Sequence, residues 1–364
     1  MSIPFRAEVI GSLLRPAYLR QAQSGFQGGE LSLQEFKRIE DRAVDQVIAM
    51  QEGAGVDVVT DGEMRRFVFM GPLTETVEGI EPIKGSTMPW HGPEGDVEWQ
   101  FPAAVTGKLR KRRSLVTEEY SYARARARLP LKATVPSPLL LMGLWSPEHS
   151  KGAYADPFAM FADAVDIVRS EVIELATLGC TYIQVDAPEL ATLVDPTTRE
   201  WTESRGMPAQ RMLTEGIDLI SAAVADVPGV RFAIHLCRGN NAGMWMSEGG
   251  YDYIASALFE RAKGFDAFLL EYDDARSGSF EPLAAAPNDK EIVLGLVSTK
   301  KPDLESAADL RDRIDEAARF FPREQMALST QCGFASIVTG NPVSEEVEQH
   351  KLRLVAEVAH AVWS

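Results

Sequence analysis

A closed (β/α)8 barrel, built as a single domain over residues 1–364, is the fold the sequence predicts, and three observations predict it. Eight short apolar runs recur along the chain: "AEVIGS", "VDVVTDGE", "LKATVPSP", "TYIQVDAP", "RFAIHLC", "FDAFLLEYD", "EIVLGLVST" and "MALSTQC". Stretches with helical periodicity lie between most of them. Nearly all the runs are apolar throughout, as expected of strands buried on both faces in a parallel sheet. A chain of 364 residues can close such a sheet without a second core.

The elements follow in order. After the first run, Ser32 and Glu35 are spaced as a capping box. Leu33, Phe36, Ile39, Val44, Val47 and Ile48 then recur at helical spacing, and Gly53 can end that helix. The second run, from Val56, leads into an unusual stretch. Residues 67–131 are rich in proline and glycine, carry Trp90 and Trp99, and are too long for a simple connection. They are expected to form an insertion, or lid, over one barrel mouth. A further helix is expected from Asp156, with Pro157 in its first turn, to near Gly179.

Composition narrows the function. With 45% hydrophobic and 25% charged residues the chain can bury a large core and is not disordered. The net charge of −16 argues against nucleic acid or an anionic membrane surface as partner. The start, "MSIPFRAEVIGS", has no apolar stretch of signal-peptide length, and no segment reaches a membrane span, so a cytoplasmic location is expected. Three cysteines, Cys180, Cys237 and Cys332, are too few and too far apart for a disulfide framework or a zinc knuckle. The basic run "GKLRKRRS", residues 107–114, reads either as a solvated loop or as a lid meeting an anionic substrate tail.

In a barrel of this kind the active site is built where the strands end. The polar residues that end the runs are Gly11 with Ser12, Asp61 with Glu63, Asp186, His235 with Cys237, Glu271, and Cys332. His235 and Cys237 are two apart on a strand, so their side chains share a face. Taken singly, each could be a satisfied core residue. Together with Glu271 and Cys332 they make one imidazole, two thiolates and one carboxylate, a set that suits zinc in charge and softness. A zinc-bound thiol loses its proton near neutral pH, so alkyl transfer to sulfur is the chemistry such a centre favours.

In order along the chain, "VIGSLLRP" at 9–16, "DGEMRR" at 61–66, "YIQVDAPEL" at 182–190, "HLC" at 235–237, "LLEYDD" at 269–274 and "QCGF" at 331–334 resemble the catalytic barrel of cobalamin-independent methionine synthases, most closely the short single-barrel homologues. The resemblance implies a zinc site of His235, Cys237, Glu271 and Cys332. It implies a homocysteine pocket in which Ile10, Gly11 and Ser12 meet the substrate carboxylate. Glu63 and Asp186, its catalytic pair, would meet the ammonium. It also places Trp145 where the family stacks a folate pterin. Two departures stand out. Folate-using members carry a second, N-terminal barrel that is absent from these residues, and Lys300 occupies the place of the family's proton-donating histidine.

The resulting expectation is a zinc-dependent methyltransferase of methionine biosynthesis, acting on a small thiol with an alkyl donor left unnamed. Homo-oligomers are compatible with it. Two other readings stay open. One is a zinc-dependent epoxide:thiol transferase using a coenzyme M-type thiol, whose sulfonate Lys300 would meet. The other is a non-catalytic zinc barrel, or a metal-free lyase similar to uroporphyrinogen decarboxylase.

Overall fold

The computed structural model describes residues 5–114 and 116–363, so Met1–Pro4 of the opening segment lie outside the described residues. Seven of the eight runs form one parallel sheet: β1 (Ala7–Glu8), β2 (Ala133–Pro136), β3 (Tyr182–Asp186), β4 (Arg231–Leu236), β5 (Ala267–Glu271), β6 (Glu291–Val297) and β7 (Met326–Thr330). Their order is β1-β7-β6-β5-β4-β3-β2, so each strand beyond β1 neighbours the next in sequence. Long helices such as Leu33–Ala54, Pro157–Thr177 and Glu345–Val362 accompany the sheet. The architecture is that of a (β/α)8 barrel.

The second run departs from the expectation. It is extended but contributes a single parallel bridge, Val59 to Leu131, in place of a full strand. It closes the gap between β1 and β2 through isolated bonds. Asp57 N–H donates to Ala7 O, Val59 N–H to Pro130 O, and Lys132 N–H to Val59 O. The reason is local. The Asp57 carboxylate accepts from the backbone of Arg6 and Ala7, and the chain turns at once through Gly62 and Glu63, both at positive φ (68° and 55°). A residue in the left-handed region cannot continue a ladder.

Beneath the mouth, the seam is sealed by charge. Lys132 Nζ donates to Glu8 Oε2 at 2.9 Å, and Tyr182 Oη donates to the same carboxylate at 2.9 Å, with all three side chains buried.

Residues 67–131 contain a helix (Gly71–Thr76), an antiparallel pair (Val77–Glu81 with Ala104–Lys111), a hairpin (Thr87–Trp90 with Val97–Gln100) and a helix (Thr117–Arg124). The hairpin is tied to the loop after β4 by two backbone bonds, His91 N–H to Trp245 O and Trp245 N–H to His91 O. Trp201 Nε1 donates to Thr87 O, and Arg205 donates to Ser86 Oγ, from the helical side. Three of the basic residues at 107–114 meet partners within the protein. Lys108 lies over the Tyr154 ring, Lys111 pairs with Glu171 and Glu174, and Arg112 donates to Glu75 O. These three cations are thus held by partners in the protein and none of residues 107–114 lines the chamber described below, which disfavours a lid on an anionic tail.

Candidate active site

The strand ends deliver their polar residues to one chamber of about 980 Å³, walled by residues of the barrel and of the 67–131 segment. His235, the penultimate residue of β4, and Cys237 just past its end face inward together, as their spacing requires. Cys332 follows β7. The ligand atoms of His235, Cys237 and Cys332 all lie within 4.8 Å of one another, and all three side chains are buried.

The imidazole is oriented for a metal. His235 Nδ1 lies 3.2 Å from Leu269 O, and a carbonyl only accepts, so the proton sits on Nδ1. Nε2 then carries its lone pair into the cluster, buried and with no hydrogen-bond partner among the described residues. A buried nitrogen of this kind costs free energy unless something fills its lone pair. One imidazole and two thiols with such an unmet lone pair fit zinc.

Electrostatics separate the two thiols. The Cys332 thiol is held well below its ordinary value by the hydrogen bond from Cys237 and by the His235 ring, against the effect of burial. Cys237, the donor in that bond and itself buried, is pushed up. Burial would lower His235, but the Cys332 sulfur beside the ring outweighs it and raises it.

Glu271, expected as a fourth ligand, stands outside this cluster. Its carboxylate accepts from Arg238 N–H at 2.8 Å and from Lys300 Nζ at 3.2 Å, with Arg276 3.8 Å away. Burial would raise Glu271, but Lys300, Arg238 and Arg276 outweigh it and hold the carboxylate low. Lys300, expected to touch substrate, is buried and faces Glu271 instead of the chamber. A lysine with a buried carboxylate in reach is drawn to it, because an unpaired charge there would be far costlier.

Beside the cluster, Ile10, Gly11, Ser12, Glu63 and Asp186 all line the chamber. A Cβ on Gly11 would come within 2.9 Å of Glu63 Oε1, and one on Gly333 within 2.1 Å of Ser12 Oγ. The Ser12 turn thus abuts the residue after Cys332, and Phe334 N–H donates to Ser12 O. Glu63 Oε1 accepts from Thr134 Oγ1, while Oε2 is buried without a partner among the described residues. Burial raises the Glu63 carboxyl and pushes Asp186 up to about 7. Two carboxyl groups deprived of water and pointing at one space suit an incoming ammonium.

Trp145 is a correction. It is buried in the core, with Nε1 3.5 Å from Tyr154 O, and does not face the chamber. Its run "LLLMGLW" forms a tight helical turn that presents Leu140, Met142 and Leu144 to the cavity instead. Sequence reasoning also missed Glu189, whose carboxylate lines the chamber, accepts from Ser137 Oγ and is pushed up by burial to about 8. Its only signal was its place in "VDAPEL", three residues past Asp186.

A barrel whose mouth joins an imidazole and two thiols to paired carboxyl groups has the make-up of a barrel enzyme. Comparison with known proteins makes this specific. A family model described as the catalytic domain of cobalamin-independent synthase matches residues 5–360, and the chain belongs to that family. It is 34% identical to the uncharacterized protein YxjH of Bacillus subtilis, over 99% of this chain and 95% of YxjH. It is 24% identical to a methionine synthase of Sulfolobus acidocaldarius, over 89% and 84%. Among solved structures, a Listeria monocytogenes protein described as a vitamin-B12 independent methionine synthase superposes with a TM-score of 0.75 at 25% identity, covering 100% of this chain and 99% of that one. A B12-independent methionine synthase from Shewanella, solved with selenomethionine, shares the fold at TM-score 0.74 and 18% identity, covering 100% and 98%.

Proposed function

We propose that this chain transfers a methyl group to the sulfur of homocysteine, forming methionine, and that it holds zinc through His235, Cys237 and Cys332. The observation that carries the reading is the buried three-residue cluster with an unmet imidazole lone pair, set beside Glu63 and Asp186. Zinc in that position would supply a cationic centre that makes a neighbouring substrate thiol acidic. The chain's own residues do the rest. Glu63 and Asp186 receive the ammonium, and the Ile10–Ser12 turn offers backbone N–H groups and a hydroxyl to the carboxylate. The apolar walls exclude water from the sulfur. Glu271 stands behind the cluster as a fixed negative charge, held by Lys300 and the Arg238 N–H.

The other readings lose ground on particular observations. A sulfonate-bearing thiol needs a cation in the chamber, and Lys300 is committed to Glu271. A silent zinc barrel has no use for a cavity of about 980 Å³ at its metal ligands, and a metal-free lyase has no use for the cluster. Methyl transfer to a thiol needs reduced cysteines at the site, which supports a reducing compartment such as the cytoplasm.

The test uses cobalt(II)-substituted protein. Homocysteine is expected to change the visible thiolate-to-metal absorption of the wild type, and Cys237→Ser or Cys332→Ser to lose stoichiometric metal. A serine variant that keeps both metal and the thiol response overturns the proposal.

A further inference from the structure

The chamber's lining is uneven in charge and in chemistry. Among the described residues no lysine or arginine lines it, and its charged groups are all carboxyl groups: Glu63, Glu75, Asp186 and Glu189. Much of the remaining wall is apolar, with an aromatic and thioether share concentrated at the hairpin. Trp90, Trp99 and Phe101 come from the hairpin and its exit, and Met88, Met142 and Met244 join them. The Trp90 and Trp99 rings sit 6.4 Å apart, tilted by 56°, and the two bonds between His91 and Trp245 hold them over the loop that follows Cys237.

Such a wall repels anions and attracts soft cations. Indole faces bind positive charge through their quadrupole, most strongly where water is excluded, and thioethers are polarizable. Glu63 and Asp186 answer the ammonium of the acceptor, so the aromatic side remains for a second ligand.

We infer that the methyl donor of this enzyme is a small methylsulfonium compound, held with its positive sulfur against the Trp90–Trp99 face. The inference rests on the methyl transfer proposed above. Its chemistry balances without a further reactant. The lone pair of the substrate thiolate forms the new S–CH3 bond, and the old C–S bond breaks with its electron pair returning to the sulfonium sulfur. A neutral thioether departs and no proton is transferred. A folate donor would instead bring a carboxylate tail, and among the described residues no lysine or arginine lines the chamber to meet it.

Two ligands of one shape test the charge. The zinc-loaded protein is titrated calorimetrically with (2-hydroxyethyl)dimethylsulfonium and with its uncharged isostere 3-methylbutan-1-ol. The sulfonium is expected to bind more tightly by on the order of tenfold. Trp99→Leu should erase most of that difference while homocysteine still perturbs the cobalt spectrum. Equal binding of the two ligands by wild type overturns the inference. In parallel, homocysteine is incubated with the sulfonium or with 5-methyltetrahydrofolate, as monoglutamate and triglutamate. Methionine from the sulfonium alone supports the inference, whereas methionine from folate alone overturns it and leaves the thiol methylation standing. Failure of homocysteine to reach the metal overturns the underlying reading instead.

Discussion

Gly333 is the residue on which the two halves of the pocket meet. A Cβ there would fall 2.1 Å from Ser12 Oγ and 2.7 Å from Ser12 O, and the second of these atoms is backbone and cannot rotate away. Gly333→Ala should therefore displace the Ser12 turn and raise the homocysteine KM roughly tenfold or more, since small misplacements of a positioning group are costly. Metal content and far-ultraviolet dichroism should stay at the wild-type level. An unchanged KM would separate Ser12 from the substrate. Residues that end a strand were legible in the sequence, because the strand ladder fixes which way they point. His235, Cys237, Cys332 and Asp186 reach the chamber on that logic, while Glu63 reaches it from the left-handed turn after the second run. Trp145 and Lys300 were misplaced because each sits beyond a strand in irregular chain, where sequence carries no period. Their directions are set by long-range partners, Tyr154 and Glu271.

Helices were the most readable elements. The capping box forms as the spacing predicts, with Glu35 N–H donating to Ser32 Oγ and Ser32 N–H to Glu35 Oε2. Ser32→Ala should cost about 1 kcal/mol in chemical denaturation. The C-terminal helix carries a less visible device. Glu348 is buried and its Oε1 accepts from Leu14 N–H, anchoring the chain just past the Ser12 turn. Burial pushes this carboxyl from 4.5 up to about 8. A folded-state value raised in this way gives stability that is fully present below about 4.5 and is lost as pH rises through about 8. Glu348→Gln keeps an acceptor for Leu14 and cannot ionise, so melting temperature should fall less steeply across that window than in wild type. An identical slope in the two proteins would show that Glu348 does not titrate there. The second run was the misread element. Its composition is that of a strand, but the Asp57 carboxylate and the left-handed pair Gly62 and Glu63 take it out of the ladder.

At the scale of the molecule, the barrel is a seven-strand sheet closed by one irregular segment, and the closure leans on the Glu8, Lys132 and Tyr182 cluster inside the seam. Lys132→Met would leave Glu8 buried without its cation, at a cost of about 3–5 kcal/mol. Denaturant unfolding measures it, and the double variant with Glu8→Gln should recover part of the loss. Metal acts on the whole chain as well. Because zinc would bind only where His235, Cys237 and Cys332 converge, chelation should lower the melting temperature of the zinc-loaded protein, and readdition should restore it. The barrel itself was legible from the alternation of apolar runs and helical periods. The shape of residues 67–131 was not, because its short strands pair across the insertion and its direction depends on contacts with the loop after Cys237.

That contact has a consequence for inheritance. The hairpin that roofs the chamber also splints the loop carrying Cys237, through the reciprocal bonds of His91 and Trp245. A lineage that reshaped the roof to admit a different donor would disturb the footing of its own metal ligand, so changes at the two places are expected to arrive together.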